Sequence, residues 1–444
     1  MIDGLRPYPE MKPSGLSWLG NVPAHWDVRR IKTLLREVDS RSKTGEERLL
    51  SLRMRQGLVD HIDSGGKLIP PESLVNFKIV EPGQVVMNRM RAAAGLFGVA
   101  HVRGLVSPDY AVFEPKPDAF NPYLLQAFRL PSLSAVFRAE SKGLGTGESG
   151  FLRLYTDRFG PIPVPYPPLD EQRLIVRFLD WHGGQTTKLV RAKQSVLKLV
   201  SEEREALTHE VVSSRETQQL RLENIVDHIF RSAERENNIV YTPVGLFNRG
   251  RGIFQKPPTR GDDLGDSTFS WIEDGDLILS GQFAWEGAVA LAGTAEAGCI
   301  ASHRYHILRG KSEIVQTTYL SSFLRTGFGH LLLNEHSRGA AGRNRPLNIR
   351  TLLKEKIPVP PQSEQSRLVD LVAQEKRLAD SIARFAERLR EFRARLIADV
   401  VTGKLDVRAV AASLPEVADP IDDLAEADDL DDAVDDAENE EAAA

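Results

Sequence analysis

Two copies of one short pattern decide the fold of this chain: Ile-Pro-Val-Pro at residues 162–165 and again at residues 357–360. A Glu-Gln pair follows each copy, at residues 171–172 and 364–365. Proline limits how a strand or helix can continue, so each copy predicts a boundary that is followed by a helix. The chain therefore contains one structural plan twice, with a period of about 195 residues.

Other landmarks recur in the same order within the two repeats. Glu-Pro-Gly at residues 81–83 corresponds to Glu-Asp-Gly at residues 273–275, and Ser-Pro-Asp-Tyr at residues 107–110 corresponds to Ser-His-Arg-Tyr at residues 302–305. Turn residues and short β-type runs fill the first part of each repeat, which predicts a mixed α/β globule. The clearest predicted strands are residues 84–87 and 110–113 in the first repeat and residues 277–279 and 305–308 in the second.

A long helical segment ends each repeat. Residues 363–402 contain neither Gly nor Pro, and a helix of this length would extend about 60 Å. Apolar residues spaced by three and four predict a coiled-coil seam that pairs with the helix of the other repeat, residues 169–212. The Gly183–Gly184 pair predicts a kink or break in the first helix. The predicted seams are Leu371, Leu378, Ile382, Phe385, Leu389, Phe392 and Leu396 on the second helix, and Leu189, Val196, Val200, Leu207 and Val211 on the first.

Composition excludes several classes of protein. Of the 444 residues, 41% are hydrophobic and 27% are charged, as in ordinary globular domains. No apolar run approaches the roughly 20 residues of a membrane helix, and the N-terminus lacks a signal-peptide pattern. Cys299 is the one cysteine, so a disulfide framework and a cysteine-based zinc site are excluded. We therefore expect a cytoplasmic protein without a membrane partner.

Charge is distributed unevenly along the chain. The first 410 residues hold all 57 Lys and Arg but 48 of the 62 Asp and Glu, a net charge of +9. The residues after Val410 carry 14 acidic side chains and no basic one. A basic body is compatible with a polyanionic partner, and an acidic segment with few large apolar residues is predicted to be disordered.

The N-terminal segment carries a resemblance to a known family. Residues 8–28 read Tyr-Pro-Glu-Met-Lys-Pro-Ser-Gly-Leu-Ser-Trp-Leu-Gly-Asn-Val-Pro-Ala-His-Trp-Asp-Val. This stretch closely resembles the opening of type I restriction-modification DNA specificity subunits. The duplicated plan of a variable globule, Pro-Val-Pro, Glu-Gln and a long helix is also similar to that family, so the resemblance extends from residue 8 to about residue 403.

The resemblance implies a fold and a function. The fold would consist of two α/β target-recognition domains, separated by two long antiparallel coiled-coil helices and related by pseudo-twofold symmetry. Each domain would read one half of a bipartite, asymmetric site in double-stranded DNA, and the helices would set the spacing and dock modification subunits, two in number. Those partners would carry S-adenosylmethionine and methylate adenine, and restriction subunits, where present, would cleave unmodified DNA in host defence. This chain would hold no cofactor, no metal and no catalytic residue.

The predicted organisation divides the chain into six parts. An N-terminal segment of residues 1–26 precedes a first target-recognition domain, and a tail follows the second spacer helix. The boundaries are residues 27–167 for the first domain, 168–213 for the first spacer helix, 214–360 for the second domain, 361–403 for the second spacer helix and 404–444 for an acidic, disordered tail.

Candidate DNA contacts come from Arg, Lys, Asn and Gln in turn-like or Gly-containing stretches. Arg binds guanine with two hydrogen bonds, Asn and Gln bind adenine in the same way, and Gly lets the backbone approach a phosphate. The candidates are Arg53, Arg55, Gln56, Asn88, Arg89, Arg91 and Lys142 in the first domain, and Arg249, Arg251, Gln255, Lys256, Arg304, Arg343, Asn344 and Arg345 in the second.

Two alternative functions remain open at this stage. Asp109, Glu114 and Lys116 are spaced like a metal-dependent nuclease site, but the second repeat has Arg304 in place of Asp109. Asn-Pro-Tyr at residues 121–123 resembles part of an adenine methyltransferase motif, and the Gly-rich residues 143–147 could cradle a phosphate. These patterns are incomplete, so an enzyme is the weaker hypothesis. A coiled-coil scaffold that binds proteins is the other alternative.

Overall fold

The computed structural model describes residues 5–54, 56–143, 152–265, 267–339 and 345–415. They form two compact units. The first unit comprises the described residues up to Val190 together with those from Phe385 onward, and the second comprises Arg191–Arg384. Each unit therefore contains one segment of each long helix. Arg55, Arg343, Asn344, most of the Gly-rich segment 143–147 and the tail beyond Pro415 lie outside the described residues.

The first unit is built on a four-stranded antiparallel sheet. Its strand order is Leu35–Val38, Tyr110–Pro115, Val85–Asn88 and Phe97–Val99. The remaining strands are Met11–Pro13, Asn21–Pro23, Asp27–Arg30, Leu50–Arg53, Gly57–Asp60, Lys78–Val80, Gly104–Val106 and Pro163–Tyr166. The helices, apart from the long ones, are Ile31–Leu34, Pro71–Leu74, Asn121–Phe128, Pro131–Glu140, Thr156–Phe159, Arg408–Ala412 and the 3₁₀ helix Ala92–Ala94.

The second unit repeats this architecture. Its four-stranded sheet has the order Val226–Ile229, Tyr305–Gly310, Leu277–Ser280 and Val289–Leu291. The other strands are Gln218–Arg221, Ser232–Ala233, Val240–Tyr241, Val244–Leu246, Ile253–Gln255, Thr259–Arg260, Phe269–Trp271, Ile300–Ser302 and Lys356–Val359. The helices, apart from the long ones, are Leu222–Ile225, Thr317–Leu324, Gly327–Glu335, Ile349–Leu352 and the 3₁₀ helix Ala284–Glu286. The predicted tandem α/β repeat is thus confirmed.

Both faces of the central sheet are buried. In the first unit, Val85 and Met87 pack into a core with the helices, while the alternating residues Val86 and Val112 pack into a second core under the strands Leu50–Arg53 and Gly104–Val106. Successive side chains of a strand point to opposite faces. This explains why the central strand reads as an uninterrupted apolar run rather than an alternating one.

The Pro-Val-Pro and Glu-Gln signature holds the junction between sheet and long helix. Pro163–Tyr166 pairs antiparallel with Asp27–Arg30, and the Gln172 side chain donates from Nε2 to the Pro167 carbonyl oxygen at 2.7 Å. Gln365 makes the same bond to Pro360 at 2.8 Å in the second unit. Both glutamines are fully buried. Buried amide N–H groups are strongly favoured to be hydrogen-bonded, so this interaction fixes how the chain turns into the helix.

The long helices span Leu169–Val212 and Gln362–Val401. They run antiparallel: in the second unit Arg204 binds Glu375 while the later Glu210 lies beside the earlier Arg367. The predicted break at Gly183–Gly184 is wrong, because the helix is continuous there. Two helical glycines cost only about 1 kcal/mol each, which packing along the helix can offset. Among the described helices, none combines the length and apolar character needed to cross a membrane.

The predicted seam of the first long helix is wrong at Leu189 and Val196, whereas Val211 is buried as predicted and Leu207 packs against the core. Leu189 is 46% exposed and Val196 is 50% exposed. Burial also includes residues outside the predicted seam, among them the polar Thr187, Arg204 and Thr208. Hydrophobicity alone misplaces the buried stripe because polar side chains in it find partners: Arg204 is 3% exposed and its Nε lies 2.7 Å from Glu375 Oε2. On the second helix Ile382 and Leu396 are buried as predicted, but Phe392 is 41% exposed.

The predicted tail is wrong for residues 404–415. This stretch belongs to the folded first unit, where Val407 and Ala411 are buried in the core. The Asp406 backbone N–H donates to the Arg6 carbonyl oxygen at 2.7 Å, and Arg177 Nε donates to the Pro415 carbonyl oxygen at 3.0 Å. The strongly acidic residues begin only after Pro415, so composition misplaced the boundary.

Candidate nucleic-acid interface

The same turn leaves the central sheet in both units. In the first-unit turn, residues 88–95, Asn88 Oδ1 accepts hydrogen bonds from the backbone N–H groups of Met90 at 3.0 Å and Arg91 at 3.2 Å. In the second-unit turn, residues 280–287, Ser280 Oγ accepts from the N–H groups of Gln282 at 3.3 Å and Phe283 at 3.0 Å. Each turn then continues into a 3₁₀ helix. One scaffold therefore displays different side chains in the two units.

Asn88 has a structural role in this turn. It is 8% exposed, and its side-chain oxygen is occupied by two backbone donors. Asn and Ser are the residues that commonly hold such turns through their side chains. The position of Asn88 in the repeat, where Ser280 makes the same bonds, accounts for the residue without a base contact.

Arg53 and Arg91 lie around Tyr110 in the first unit. Both arginines are exposed, and the Arg53 guanidinium donates to the Ser64 carbonyl oxygen at 3.0 Å. Burial raises the pKa of Tyr110, whereas a hydrogen bond with Asn88 and the charges of Arg53 and Arg91 act in the opposite direction. The structure thus brings these two predicted residues together and adds Tyr110. The recurrence of the Tyr at residues 110 and 305 was the available sequence signal.

Arg89 is committed to an ion pair within the fold. Its Nη2 lies 2.7 Å from Glu37 Oε1, and its side chain is 19% exposed. Lys78 is buried nearby and donates from Nζ to the Tyr110 carbonyl oxygen at 2.8 Å. Burial, and then the charge of Arg89, lowers the pKa of Lys78. Of the other first-unit candidates, Gln56 and Lys142 are exposed, and Lys142 forms a β-bridge with Arg153.

The loop Arg249–Arg251 rests on the second-unit turn. The N–H groups of Arg249 and Gly250 donate at 2.8 Å to the carbonyl oxygens of Glu286 and Gly287. Arg249 has φ of 59°, and a Cβ on Gly287 would lie 3.3 Å from its Cα. This close approach requires the glycine. Both arginines are exposed, and Arg251 lies over the Phe247 ring at 5.2 Å.

Two further arginines lie at the same turn. The Arg304 carbonyl oxygen accepts from the Gly281 N–H at 2.6 Å. The Arg345 guanidinium lies over the Trp285 ring at 4.7 Å and donates from Nε to the Ser337 carbonyl oxygen at 3.2 Å. The second-unit turn therefore collects Arg249, Arg251, Arg304 and Arg345, which the sequence leaves scattered. Gln255 and Lys256 lie at the other end of the hairpin, where Gln255 donates to Ala295 at 2.8 Å.

The residues of the nuclease-like pattern have separate structural partners. Arg153 Nη2 lies 3.3 Å from Asp109, Glu114 accepts from Gln84 Nε2 at 2.6 Å, and Lys116 donates to the Lys32 carbonyl oxygen at 3.0 Å. Within the described ranges, no three His, Cys, Asp or Glu residues are placed to hold a metal ion. Asn121 begins a helix and donates from Nδ2 to the Gly83 carbonyl oxygen at 2.7 Å. This arrangement does not favour the nuclease hypothesis.

Comparison with known proteins identifies a related family. Residues 72–199 match the model of the type I restriction modification DNA specificity domain. Among curated proteins, no sequence matches this chain. A chain from a structure of the assembly and conformational transition of the type I restriction-modification system is similar at 17% identity and a TM-score of 0.56, covering 86% of this chain and 98% of that one. This likeness supports the fold.

Two other solved structures are more distant. The HsdS subunit of Thermoanaerobacter tengcongensis is 15% identical with a TM-score of 0.45, covering 86% of this chain and 98% of its own. The S subunit of the M. genitalium type I restriction-modification system is 11% identical with a TM-score of 0.40, covering 85% of this chain and 96% of its own.

Proposed function

Because residues 72–199 match the model of the type I restriction modification DNA specificity domain, we propose that the chain is a specificity subunit of this kind and that its two units read the two halves of one bipartite, asymmetric DNA target. The chain is a DNA recognition subunit rather than an enzyme, and it works in a complex with DNA and with other restriction-modification subunits. Its choice of target directs adenine methylation by modification partners, and also restriction where a restriction subunit is present. The reacting groups and S-adenosylmethionine belong to those partners.

The repeated turn with unlike side chains is the observation that carries this proposal. Asn88 and Ser280 hold the same backbone turn through equivalent hydrogen bonds. The first-unit turn presents Arg91 near Arg53, whereas the second-unit turn collects Arg249, Arg251, Arg304 and Arg345. Equivalent scaffolds with different donors would read different base sequences, and this yields an asymmetric target.

The candidate arginines have two different roles under this proposal. Arg53, Arg91, Arg249 and Arg251 are exposed, so they are free to reach base edges or phosphates. Arg89 is held by Glu37 at 2.7 Å and acts by shaping the turn. Asn88 acts by holding the turn. The remaining candidates for contacts are Gln56, Lys142, Gln255, Lys256, Arg304, Arg345 and the three residues outside the described ranges.

The first long helix offers a surface for the modification partners. Val196 is 50% exposed and Leu199 is 64% exposed, and both lie on the segment of this helix that belongs to the second unit. Val196 and Leu199 are three positions apart and so share one helix face, and neighbouring exposed apolar side chains are the kind of surface that a protein partner can cover. We propose that modification subunits, two per chain, dock on the long helices, and that the complex works in the cytoplasm. The target-recognition domains are proposed to lie at residues 27–167 and 214–360.

A domain exchange tests the proposal. Residues 27–165 are replaced by the equivalent segment of a relative, and adenine methylation is mapped across the genome of a host that also expresses the modification partner. We expect one half of the methylated motif to change and the other half to stay. The matched control exchanges residues 214–360 and should change only the other half. A motif that is the same in both exchanges, or methylation that does not depend on this chain, would contradict the proposal.

A further inference from the structure

A small polar pocket lies in the second unit beside the first long helix. It has a volume of about 100 Å³ and is bordered by Arg204, Thr208 and His209 of that helix and by Ser322, Arg325 and Gly327. Ser322 and Arg325 end the helix Thr317–Leu324, and Gly327 begins the helix Gly327–Glu335. The pocket is thus enclosed by hydrogen-bond donors from three helices.

Two of these donors lack a partner within the part of the chain that the structure describes. The Ser322 side chain is buried, at 5% exposure, and its hydroxyl makes no hydrogen bond there. The Arg325 side chain reaches solvent at the surface, and in the same described part its guanidinium makes neither an ion pair nor a side-chain hydrogen bond. The Gly327 N–H belongs to the first turn of a helix, where backbone N–H groups have no intrahelical acceptor. The Ser322 hydroxyl and the Gly327 N–H therefore face the pocket as donors, and the pocket is suited to a ligand that accepts hydrogen bonds.

The charges around the pocket favour an anion. Arg204 is buried and pairs with Glu375 at 2.7 Å. Burial, and then the charge of Arg204, lowers the pKa of Arg325, while Glu375 and Glu205 act in the opposite direction without cancelling the effect. Glu205 also borders the pocket, but its side chain is 66% exposed and can turn into solvent. An anion between the two guanidinium groups would relieve their repulsion.

The first unit has two arginines at the equivalent positions, so the arginine pair alone does not distinguish the pocket of the second unit. Arg393 and Arg129 occupy the positions equivalent to Arg204 and Arg325, and the charge of Arg393 lowers the pKa of Arg129 as well. However, Arg129 donates to the Phe97 carbonyl oxygen at 3.2 Å. Most of the other positions lose their donors: Thr208, His209, Thr326 and Gly327 correspond to Ile397, Ala398, Leu130 and Pro131, while Ser322 corresponds to the longer Gln126.

We propose that the second-unit pocket binds a phosphate group, between Arg204, Arg325, Ser322 and the first turn of the helix Gly327–Glu335. Arginine pairs and helix N-termini are suited to phosphate because they offer several N–H donors and positive charge. The phosphate is either free or part of the DNA backbone. A Cβ on Gly250 would lie 2.8 Å from Arg325 Nε, so the site touches the loop Arg249–Arg251. Phosphate binding itself does not depend on the DNA-reading role.

Titration of the full chain with inorganic phosphate, followed by calorimetry, tests the site. We expect binding to wild type, at least ten-fold weaker binding to Arg325→Gln, and several-fold weaker binding to Ser322→Ala. Glu205→Gln should bind more tightly because it removes a negative charge from the border of the pocket. Arg129→Gln is the matched control and should bind like wild type. Wild type that does not bind phosphate, or Arg325→Gln that binds it equally well, would overturn the proposal.

The salt dependence of duplex DNA binding distinguishes the two sources. It is measured with the chain assembled with its modification subunits. The slope of log K against log salt is negative. If the pocket takes a backbone phosphate, Arg325→Gln should make this slope shallower by about 0.9, the value for one lost phosphate contact. If the pocket takes free phosphate, the slopes of wild type and variant should agree while the difference in phosphate titration remains. Both outcomes support the site and assign its ligand.

Discussion

Glu171 and Glu364 occupy the same position in the two repeats but have different surroundings. In the first unit, Trp26 Nε1 donates to Glu171 at 3.0 Å, Tyr8 donates from its hydroxyl, and His25 Nε2 lies 2.7 Å away. In the second unit, Glu364 lies 2.7 Å from Arg367, which is 53% exposed. The neighbouring Gln172 and Gln365 make equivalent bonds. The glutamine of the duplicated Glu-Gln motif therefore has the same structural role in both copies, whereas the glutamate accepts buried hydrogen bonds in the first copy only.

The largest effect is expected from removing the Glu171 carboxylate. Glu171→Ala leaves the buried Trp26 N–H and Tyr8 hydroxyl without an acceptor, and each unsatisfied group costs about 1–3 kcal/mol. We expect the first unit to lose about 4 kcal/mol of unfolding free energy. Glu364→Ala removes only a surface pair and should cost less than about 1 kcal/mol. Urea denaturation of both variants measures the difference, and equal losses would contradict this account.

An intermediate effect is expected on the stability of the second unit when the pH is lowered. The rings of His228 and His306 lie 5.4 Å apart, and burial, with the charge of His228, lowers the pKa of His306 to about 4. The unfolded chain has a His pKa of about 6.5 and so binds more protons below that pH. Stability that is full above pH 6.5 is therefore lost as the pH falls toward 4.

The first unit provides the control for this pH dependence. Ala111 stands at the position equivalent to His306, and Glu37 at that of His228. We expect His306→Leu to flatten the decline in the melting temperature of the second unit between pH 6.5 and 4. An NMR titration in which His306 has a pKa near 6.5 would refute the prediction.

The smallest effect is expected at the two turns. Asn88→Ala and Ser280→Ala each remove a side chain that accepts from two backbone N–H groups. Loss of such a cap costs about 1 kcal/mol, and each loss should be confined to its own unit. Urea denaturation tests this, and the methylated motif should be unchanged. Asn88→Ala with full stability but an altered motif would instead assign Asn88 to base recognition.

The repeat and the helices could be predicted because they depend on local patterns. Pro-Val-Pro, Glu-Gln and a 40-residue segment without Gly or Pro correctly predicted the helix Gln362–Val401. Short β-type runs between turn residues correctly predicted the strand Val85–Asn88. The polar part of the buried stripe on the first helix could not be predicted, since Arg204 is buried only because Glu375 comes from a segment 171 positions away. The candidate residues were chosen by type, and the sequence cannot show that Arg89 pairs with Glu37 while Arg91 remains exposed.

The amino-acid order alone was sufficient for the duplicated plan, the family resemblance, the mixed α/β class and the length of the second long helix. These follow from spacing, turn residues and hydrophobic period, which act between residues close in the chain. Which polar groups are buried and which arginines surround the second-unit turn depended on tertiary packing. The partners of Glu171, Arg204 and Arg345 are distant in sequence or belong to other elements. Burial and hydrogen bonding are properties of those long-range contacts, so no local pattern could specify them.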